Sequence, residues 1–476
     1  VEERYTAAAL NGKRRQDFSQ EDSVIWPQDV RWDFIEKEAQ ELLCQLVRFD
    51  TSNPPGNEGI AIDFIAELLK KEGLSPHVVE KVPGRSNLVV RLSGKRAGPA
   101  LMLDSHIDVV PASGDWKVPP FAGEIKDGYI WGRGTVDMKQ MTAMSLATLL
   151  FFHRRKLDFS GELVVAVTAD EEDGGGELGV RFLTTEHRDL IAADYALGEV
   201  GGMNLTVNGV RVYPIQVAEK GLAWIRLTLK GVGGHGSIPR DHSVTREMGR
   251  LLKKVSNLHY TGTVHPAAAD FLNTLASVND FPANVGLKLA QKGALGRFVL
   301  KYLFPEEVGA PLRAMVSNVI QPTVIRCGDK TNVIPTEASV TLDCRLTPGV
   351  DPGAVADFVR KKVGPAVDVE VLQSQRGMAT SYRNDPLFQI IRETVESLDP
   401  GAVVTPWLTT GLTNGSTYSK AGIRYFGFTP VMFPATLSFG DLFHAPDERC
   451  PVKGLNWGTR TLIEVVARFL EVKGKP

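Results

Sequence analysis

The chain has 476 residues, 43% of them hydrophobic, enough for two or three domains with buried cores. Its 54 basic and 56 acidic residues leave a formal charge of −2, which excludes a chain-wide polyanion-binding surface, so neither nucleic acid nor a membrane is expected as partner. No apolar run approaches the ~20 residues needed to cross a bilayer. Cys44, Cys327, Cys344 and Cys450 lie far apart, with neither a zinc-ribbon spacing nor a disulfide framework. With no signal-peptide pattern at its start, the chain reads as cytoplasmic.

Residues 1–30, including the basic run Lys13-Arg-Arg15, carry little pattern and are expected to form an N-terminal extension. Apolar residues at helical spacing predict helices over 31–49 and 58–71. Strand-like runs then alternate with helices as far as Glu199: a strand over 100–103, a helix over 138–156, a strand over 161–168 and a short one after Asp194. Such alternation predicts a mostly parallel sheet with helices on both faces and ligands at its strand ends. A second block opens near Gly221, with a strand over 222–229 and a helix over 245–258. The stretch 265–320 carries Leu287, Leu289, Leu295, Phe298, Val299, Tyr302, Leu303 and Phe304, which predict amphipathic helices packed as core or walling an apolar substrate. The block closes with a strand over 338–346, a helix over 351–363 and a strand over 367–372. That βαββαβ-like order predicts a small ferredoxin-like α+β sheet. A helix over 386–397, a strand over 423–428 and a helix over 454–472 return to the first block. The expected division is an extension over 1–30, a main α/β domain over 31–217 and 375–476, and an inserted domain over 218–374.

The chemistry-bearing residues fall at the ends of these runs. Asp104-Ser-His-Ile-Asp-Val-Val-Pro111 sets His106 two residues from Asp108, an acid able to accept the free N–H of a metal-bound imidazole and fix its tautomer. Asp137 stands just before a helix, Asp170-Glu171-Glu172-Asp173 follows a strand, and Glu199 follows another. Later, Phe443-His444-Ala-Pro-Asp-Glu448 adds a second histidine with acids. Adjacent carboxylates such as Glu171 and Glu172 repel unless a cation neutralises them. Mixed histidine and carboxylate donors could cage two divalent ions, with zinc, cobalt or manganese suited to the set. One glutamate of the pair can hold a metal while its neighbour acts as general base.

On these motifs the chain resembles, from about Glu38 onward, the co-catalytic zinc hydrolases that include aminoacylase-1, carboxypeptidase G, carboxypeptidase S and succinyl-diaminopimelate desuccinylase. The resemblance implies that His106 and Glu199 hold one ion, Glu172 and His444 hold the other, and Asp137 bridges them. It makes Asp108 the orienting acid for His106 and Glu171 the general base, with Asp194 as the alternative to Glu199. In the inserted block, Gly231-Val-Gly-Gly-His235-Gly-Ser-Ile-Pro239 puts a histidine in a glycine-rich turn. By resemblance the block is a lid and dimerisation domain, and in a homodimer His235 reaches the other subunit's active site to stabilise the oxyanion. Asn332 would then bind the reacting amide, and Arg345 would pair with a free carboxylate, an ion pair with Asp343 being its alternative reading. The segment Gly411-Leu-Thr-Asn414-Gly-Ser carries Asn414 where many members have Asp, and the 265–320 stretch is enlarged as in carboxypeptidase S-like and acyl-amino-acid-hydrolysing members.

The function expected is metal-dependent hydrolysis of an amide, in an N-acyl amino acid or a short peptide with a free carboxylate, with two zinc ions as cofactors. An aminopeptidase is the alternative enzyme, and it would anchor a substrate ammonium with an acid. An inactive metal-binding interaction module is the alternative outside enzymes, but such relics lose a base or ligand and none is missing here.

Overall fold

The computed structural model describes residue 26 and residues 29–173 and 176–473; the expected extension over 1–30 lies almost wholly outside them. A ten-stranded mixed sheet forms the larger part of the molecule. At its centre Ser160–Thr168, Arg96–His106, Tyr195–Gly198 and Arg424–Gly427 run parallel, side by side. Antiparallel strands Ser86–Ser93 and His77–Glu80 close one flank. On the other, Val210–Glu219 pairs in parallel with Val403–Thr409.

Alternation along the central strands explains why both faces are covered. Leu101, Leu103, Leu163, Val165 and Val167 enter one core, shared with helices Trp32–Val47, Lys139–Arg155 and Val452–Phe469. Met102, Val164 and Ala166 enter another, shared with helices Val180–Glu186 and Gly415–Lys420. A strand buried on both faces needs a continuous apolar run, and Leu163-Val-Val-Ala-Val167 supplies it. Lys139–Arg155 is buried from Lys139 to Phe152, all round rather than along one stripe, as befits a helix sandwiched between layers.

The smaller sheet is antiparallel throughout, in the order Val319–Cys327, Glu337–Leu346, Gly221–Lys230, Val367–Gln375. Helices Val244–Val255 and Pro352–Val363 share its separate core with Ile225, Leu227, Val340 and Leu342. Its chain order is βαββαβ, the expected ferredoxin-like arrangement. Four helices, Pro266–Ser277, Ala283–Leu289, Gly293–Tyr302 and Glu306–Val316, interrupt it. Their buried residues Phe271, Leu272, Leu275, Leu300, Leu312 and Met315 join the core of the large sheet, not that of the small one. The 218–374 stretch is therefore not one packing unit. Pro266–Ser277 carries Ala267, Phe271 and Leu275 along one helical face, and that face is met by strand Val403–Thr409. Among the described residues no helix is long and apolar enough to cross a membrane.

Candidate active site

Three parallel strands deliver their acids and histidine to one edge of the large sheet. His106 is the last residue of its strand and lies in register with Thr168, after which the chain passes Ala169 and Asp170 to Glu171 and Glu172. Glu199 follows Gly198, the last residue of the neighbouring strand. Strand carboxyl ends in open α/β sheets form such clefts. Asp137 comes in from the turn before helix Lys139–Arg155, and His444 from the turn after Phe439–Asp441.

These side chains converge. His106 Nε2 lies 3.2 Å from Asp137 Oδ1 and 3.7 Å from Glu199 Oε2. His444 Nε2 lies 3.2 Å from Asp137 Oδ2 and 3.2 Å from Glu172 Oε2. Asp137 thus presents one oxygen to each histidine. Donor atoms of His106, Glu171 and Glu199 fall within 4.8 Å of one another, as do those of His106, Asp137 and Glu172. Asp194 stands at the far end of its strand, where Oδ2 accepts the Ala100 N–H at 2.8 Å, so it is not part of the cluster.

The support beneath the cluster differs from the expectation at Asp108. The strand ends at His106, so Asp108 lies beyond it. His106 Nδ1 lies 2.9 Å from the Asp108 backbone carbonyl and 3.6 Å from its carboxylate. A carbonyl only accepts, so Nδ1 carries a hydrogen and Nε2 is turned to the cluster. The Asp108 carboxylate instead accepts the backbone N–H groups of Glu171 and Glu172, at 3.1 and 3.0 Å, and the Asn53 amide at 2.9 Å. It fixes the glutamate pair rather than the imidazole.

Two supports went unread in the sequence. Buried Glu448 pairs with Arg133 at 2.8 Å and accepts the N–H groups of Gly134, Val136 and Asp137 at 3.1, 2.7 and 3.2 Å, holding the turn that carries Asp137. Buried Asp104 accepts from the Tyr418 hydroxyl at 2.7 Å and from the Asn414 amide at 3.2 Å. Asn414, the departure from the family pattern, therefore serves this layer under the site and is absent from the cavity wall. An acid inside an apolar strand, Asp104, was the available signal. Asp170, Val200 and His444 all hold positive φ (63°, 63° and 56°), a left-handed conformation that costs most for the β-branched Val200 beside Glu199.

Electrostatics show what the cluster lacks. Burial works to raise the Asp137 pKa, yet the His106 and His444 contacts hold it below the usual carboxylate range. Burial, then the charge of Asp137, pushes Glu172 up to about 7. Burial and the charge of Glu199 push Glu171 well above its ordinary value. Hydrogen bonds to Asp137 and Glu172 raise His444 to about 10. Buried carboxylates pushed upward in this way call for positive charge beside them, which divalent cations would supply. Glu172 Oε1 and Glu199 Oε1 are buried without a hydrogen-bond partner, open valences of the kind a metal ion fills. The residues present fit a dimetal centre.

A cavity of about 1050 Å³ opens onto the cluster. Asp137, Glu171, Glu172, Glu199, His444 and Arg345 line it, with apolar walls from Trp224, Phe271, Leu275, Leu312, Met315 and Phe439. Arg345 is held there by a two-point contact with Asp343, at 2.8 and 3.2 Å. His235 lies elsewhere, on the short ladder pairing Gly234–His235 with Val333–Ile334, and Asn332 immediately precedes that second strand, its carbonyl accepting the Gly236 N–H at 2.8 Å. Both are exposed, His235 Nδ1 lies 2.7 Å from the Ser237 hydroxyl, and neither lines the cavity.

The model of peptidase family M20/M25/M40 matches residues 102–468. The N-fatty-acyl-amino acid synthase/hydrolase PM20D1 of Xenopus tropicalis is 28% identical over 341 residues, which cover 70% of this chain and 65% of that protein, just under two thirds of its length. The fold is shared with an M20 metallo-carboxypeptidase from Sulfolobus solfataricus, at TM-score 0.69 and 17% identity over 91% of this chain and all 100% of that one. It is shared too with a dinuclear metal-binding M20 peptidase of Bacillus subtilis, at TM-score 0.60 and 14% identity, covering 93% of this chain and 100% of the other. The strand-end cluster sits inside the matched span, and the chain belongs to peptidase family M20/M25/M40.

Proposed function

We propose that the chain hydrolyses the amide bond of N-acyl amino acids whose acyl group is apolar and whose carboxylate is free. One observation carries this reading: a single cavity joins the acid–histidine cluster, a guanidinium and apolar walls. The acylated amino acid named for the Xenopus relative has the same three parts: amide, carboxylate and fatty chain.

In this reading His106 and Glu199 would hold one divalent cation, Glu172 and His444 would hold a second, and Asp137 would be a ligand common to both. Zinc suits the donor set, with cobalt and manganese as alternatives. When bound, the cations polarise the scissile carbonyl and make water acidic near neutral pH. Glu171 takes the proton from the attacking water and returns it to the leaving nitrogen. Its backbone is fixed for that task by Asp108. Arg345 receives the substrate carboxylate, and the walls exclude water from the acyl chain. His235 and Asn332 serve the site of a second copy in a homodimer, His235 donating to the developing oxyanion. Their exposure outside the cavity supports that, as do exposed Val324 and Ile325 on the edge strand Val319–Cys327 of the small sheet. The small sheet is then both lid and dimerisation surface.

The test is turnover of N-acetyl, long-chain N-acyl and dipeptide substrates by metal-reconstituted protein. Long-chain N-acyl amino acids are expected to give the highest kcat/KM. Preference for substrates with a free amino group and no acyl chain would replace this reading with the aminopeptidase.

A further inference from the structure

The helical insertion buries one face in the large core and leaves another bare. In helix Gly293–Tyr302, Gly296, Val299 and Leu300 are buried, while Leu295, Phe298 and Tyr302 are 51%, 56% and 61% exposed. Those three stand at i, i+3 and i+7, a single stripe on a helix of 3.6 residues per turn. The Phe298 and Tyr302 rings lie 4.8 Å apart between centroids, so the stripe is a joined surface. Leu303 follows the helix with 68% exposure, and Phe281, just before the preceding helix Ala283–Leu289, is 80% exposed. Isolated surface apolar residues are ordinary, but a cluster with two aromatic rings marks an interaction face.

The charge around the stripe selects its occupant. Residues 281–304 contain Lys288, Lys292, Arg297 and Lys301 and no acid, in a chain whose net charge is −2. Lys288, Lys292 and Lys301 are exposed. Asp280 precedes this stretch and Glu306 and Glu307 follow it, Glu306 being engaged by Arg313 at 2.8 Å. The chain-wide balance that argues against a membrane partner conceals this local excess. Leucine and aromatic side chains on one helical stripe, with lysine and arginine beside them, are the pattern of a helix lying in a lipid–water interface. The rings and leucines enter the acyl boundary while the cations stay with the phosphates.

We propose that this outer face, Leu295, Phe298, Tyr302 and Leu303 with the lysines around it, docks on an anionic phospholipid surface. Helix Glu306–Val316 packs directly against Gly293–Tyr302 and supplies Val308, Leu312 and Met315 to the cavity wall. A docked bilayer therefore lies one helix away from the cavity, within reach of an amphiphilic ligand leaving the lipid. The docking itself does not depend on the hydrolytic reading.

Co-sedimentation of the full chain with vesicles tests it, using phosphatidylcholine alone and phosphatidylcholine with roughly 30% phosphatidylserine. Binding to the anionic vesicles is expected to exceed binding to the neutral ones by ~10-fold or more and to weaken with added salt. A Leu295→Ser/Phe298→Ser/Leu303→Ser variant and a Lys288→Glu/Lys292→Glu/Lys301→Glu variant should each lose at least ~10-fold in binding while keeping the parent's thermal melting midpoint. Should the serine variant fail to fold, the charge-reversed variant decides alone, since its three lysines are exposed. Absence of binding by the parent chain, or binding undiminished in a folded variant, overturns the proposal. So does a smaller particle for the serine variant in lipid-free sedimentation velocity, which would assign the stripe to contact between copies.

Discussion

His106 and His235 show two ways of placing an imidazole. His106 is fully buried at the end of a central strand, its Nδ1 taken by a backbone carbonyl and its Nε2 facing two carboxylates. His235 is exposed on a two-residue strand, with Ser237 as its neighbour and no place in the cavity wall. The first needs only its own chain: three parallel strands in register fix it before any substrate arrives. The second lies outside the cavity wall, and in the proposed reading the site it serves belongs to another copy of the chain. His106 is caged by the carboxylates it faces, whereas His235 stands open to solvent.

The sharpest way to break the caged half is Asp137→Ala. Removing the carboxylate that faces both histidines should weaken metal affinity by more than ~10²-fold and take activity to background. Metal content after gel filtration checks it. Glu171→Gln should instead keep the metal and lower kcat by ~10³-fold, because proton transfer is lost while the ligands stay. Equal metal loss in the two variants would erase the distinction between ligand and base.

The exposed half is tested by His235→Ala, expected to lower kcat by ~10²-fold as the loss of one oxyanion donor. Mixed with Glu171→Gln protein and allowed to exchange subunits, it should regain activity, since one site of the mixed dimer holds both an intact Glu171 and an intact His235. Demonstrated exchange without recovery would confine His235 to its own chain or remove it from the reaction.

Arg345 stands between the two halves, on the small sheet yet in the cavity wall. Arg345→Ala should cost about 2–3 kcal/mol in kcat/KM for a carboxylate substrate and nothing for the matching amide. Arg345→Lys should recover part of the loss, lacking the planar fork. An equal drop for acid and amide would make the Asp343 pair its whole role.

Much of this was legible in the sequence, for reasons that also mark the limits. Acids after apolar runs become strand-end groups once the sheet is parallel, and the structure gathers His106, Asp137, Glu171, Glu172, Glu199 and His444 in one place. The ferredoxin-like order was readable because each strand and helix kept its own period. Helices within 266–316 were readable as amphipathic, but periodicity names a face and not what covers it, so their union with the large core was not. Asp108 was singled out, but its carboxylate binds backbone amides 63 and 64 positions away, which no local pattern records. Glu448 and the Asp104–Tyr418 contact are likewise unions of residues more than 300 positions apart.

Glu448 has a temporal consequence. Its carboxylate organises the Asp137 turn from 314 positions downstream of Gly134, and His444 stands only four residues before it. Ribosomal synthesis runs from the amino end, so a growing chain already carrying His106, Asp137 and Glu199 still lacks both the brace and the second histidine of the cluster. The cluster closes only after His444 and Glu448 have left the exit tunnel and returned to the sheet. A chain stopped short of His444 would carry most of the acids without the finished cluster.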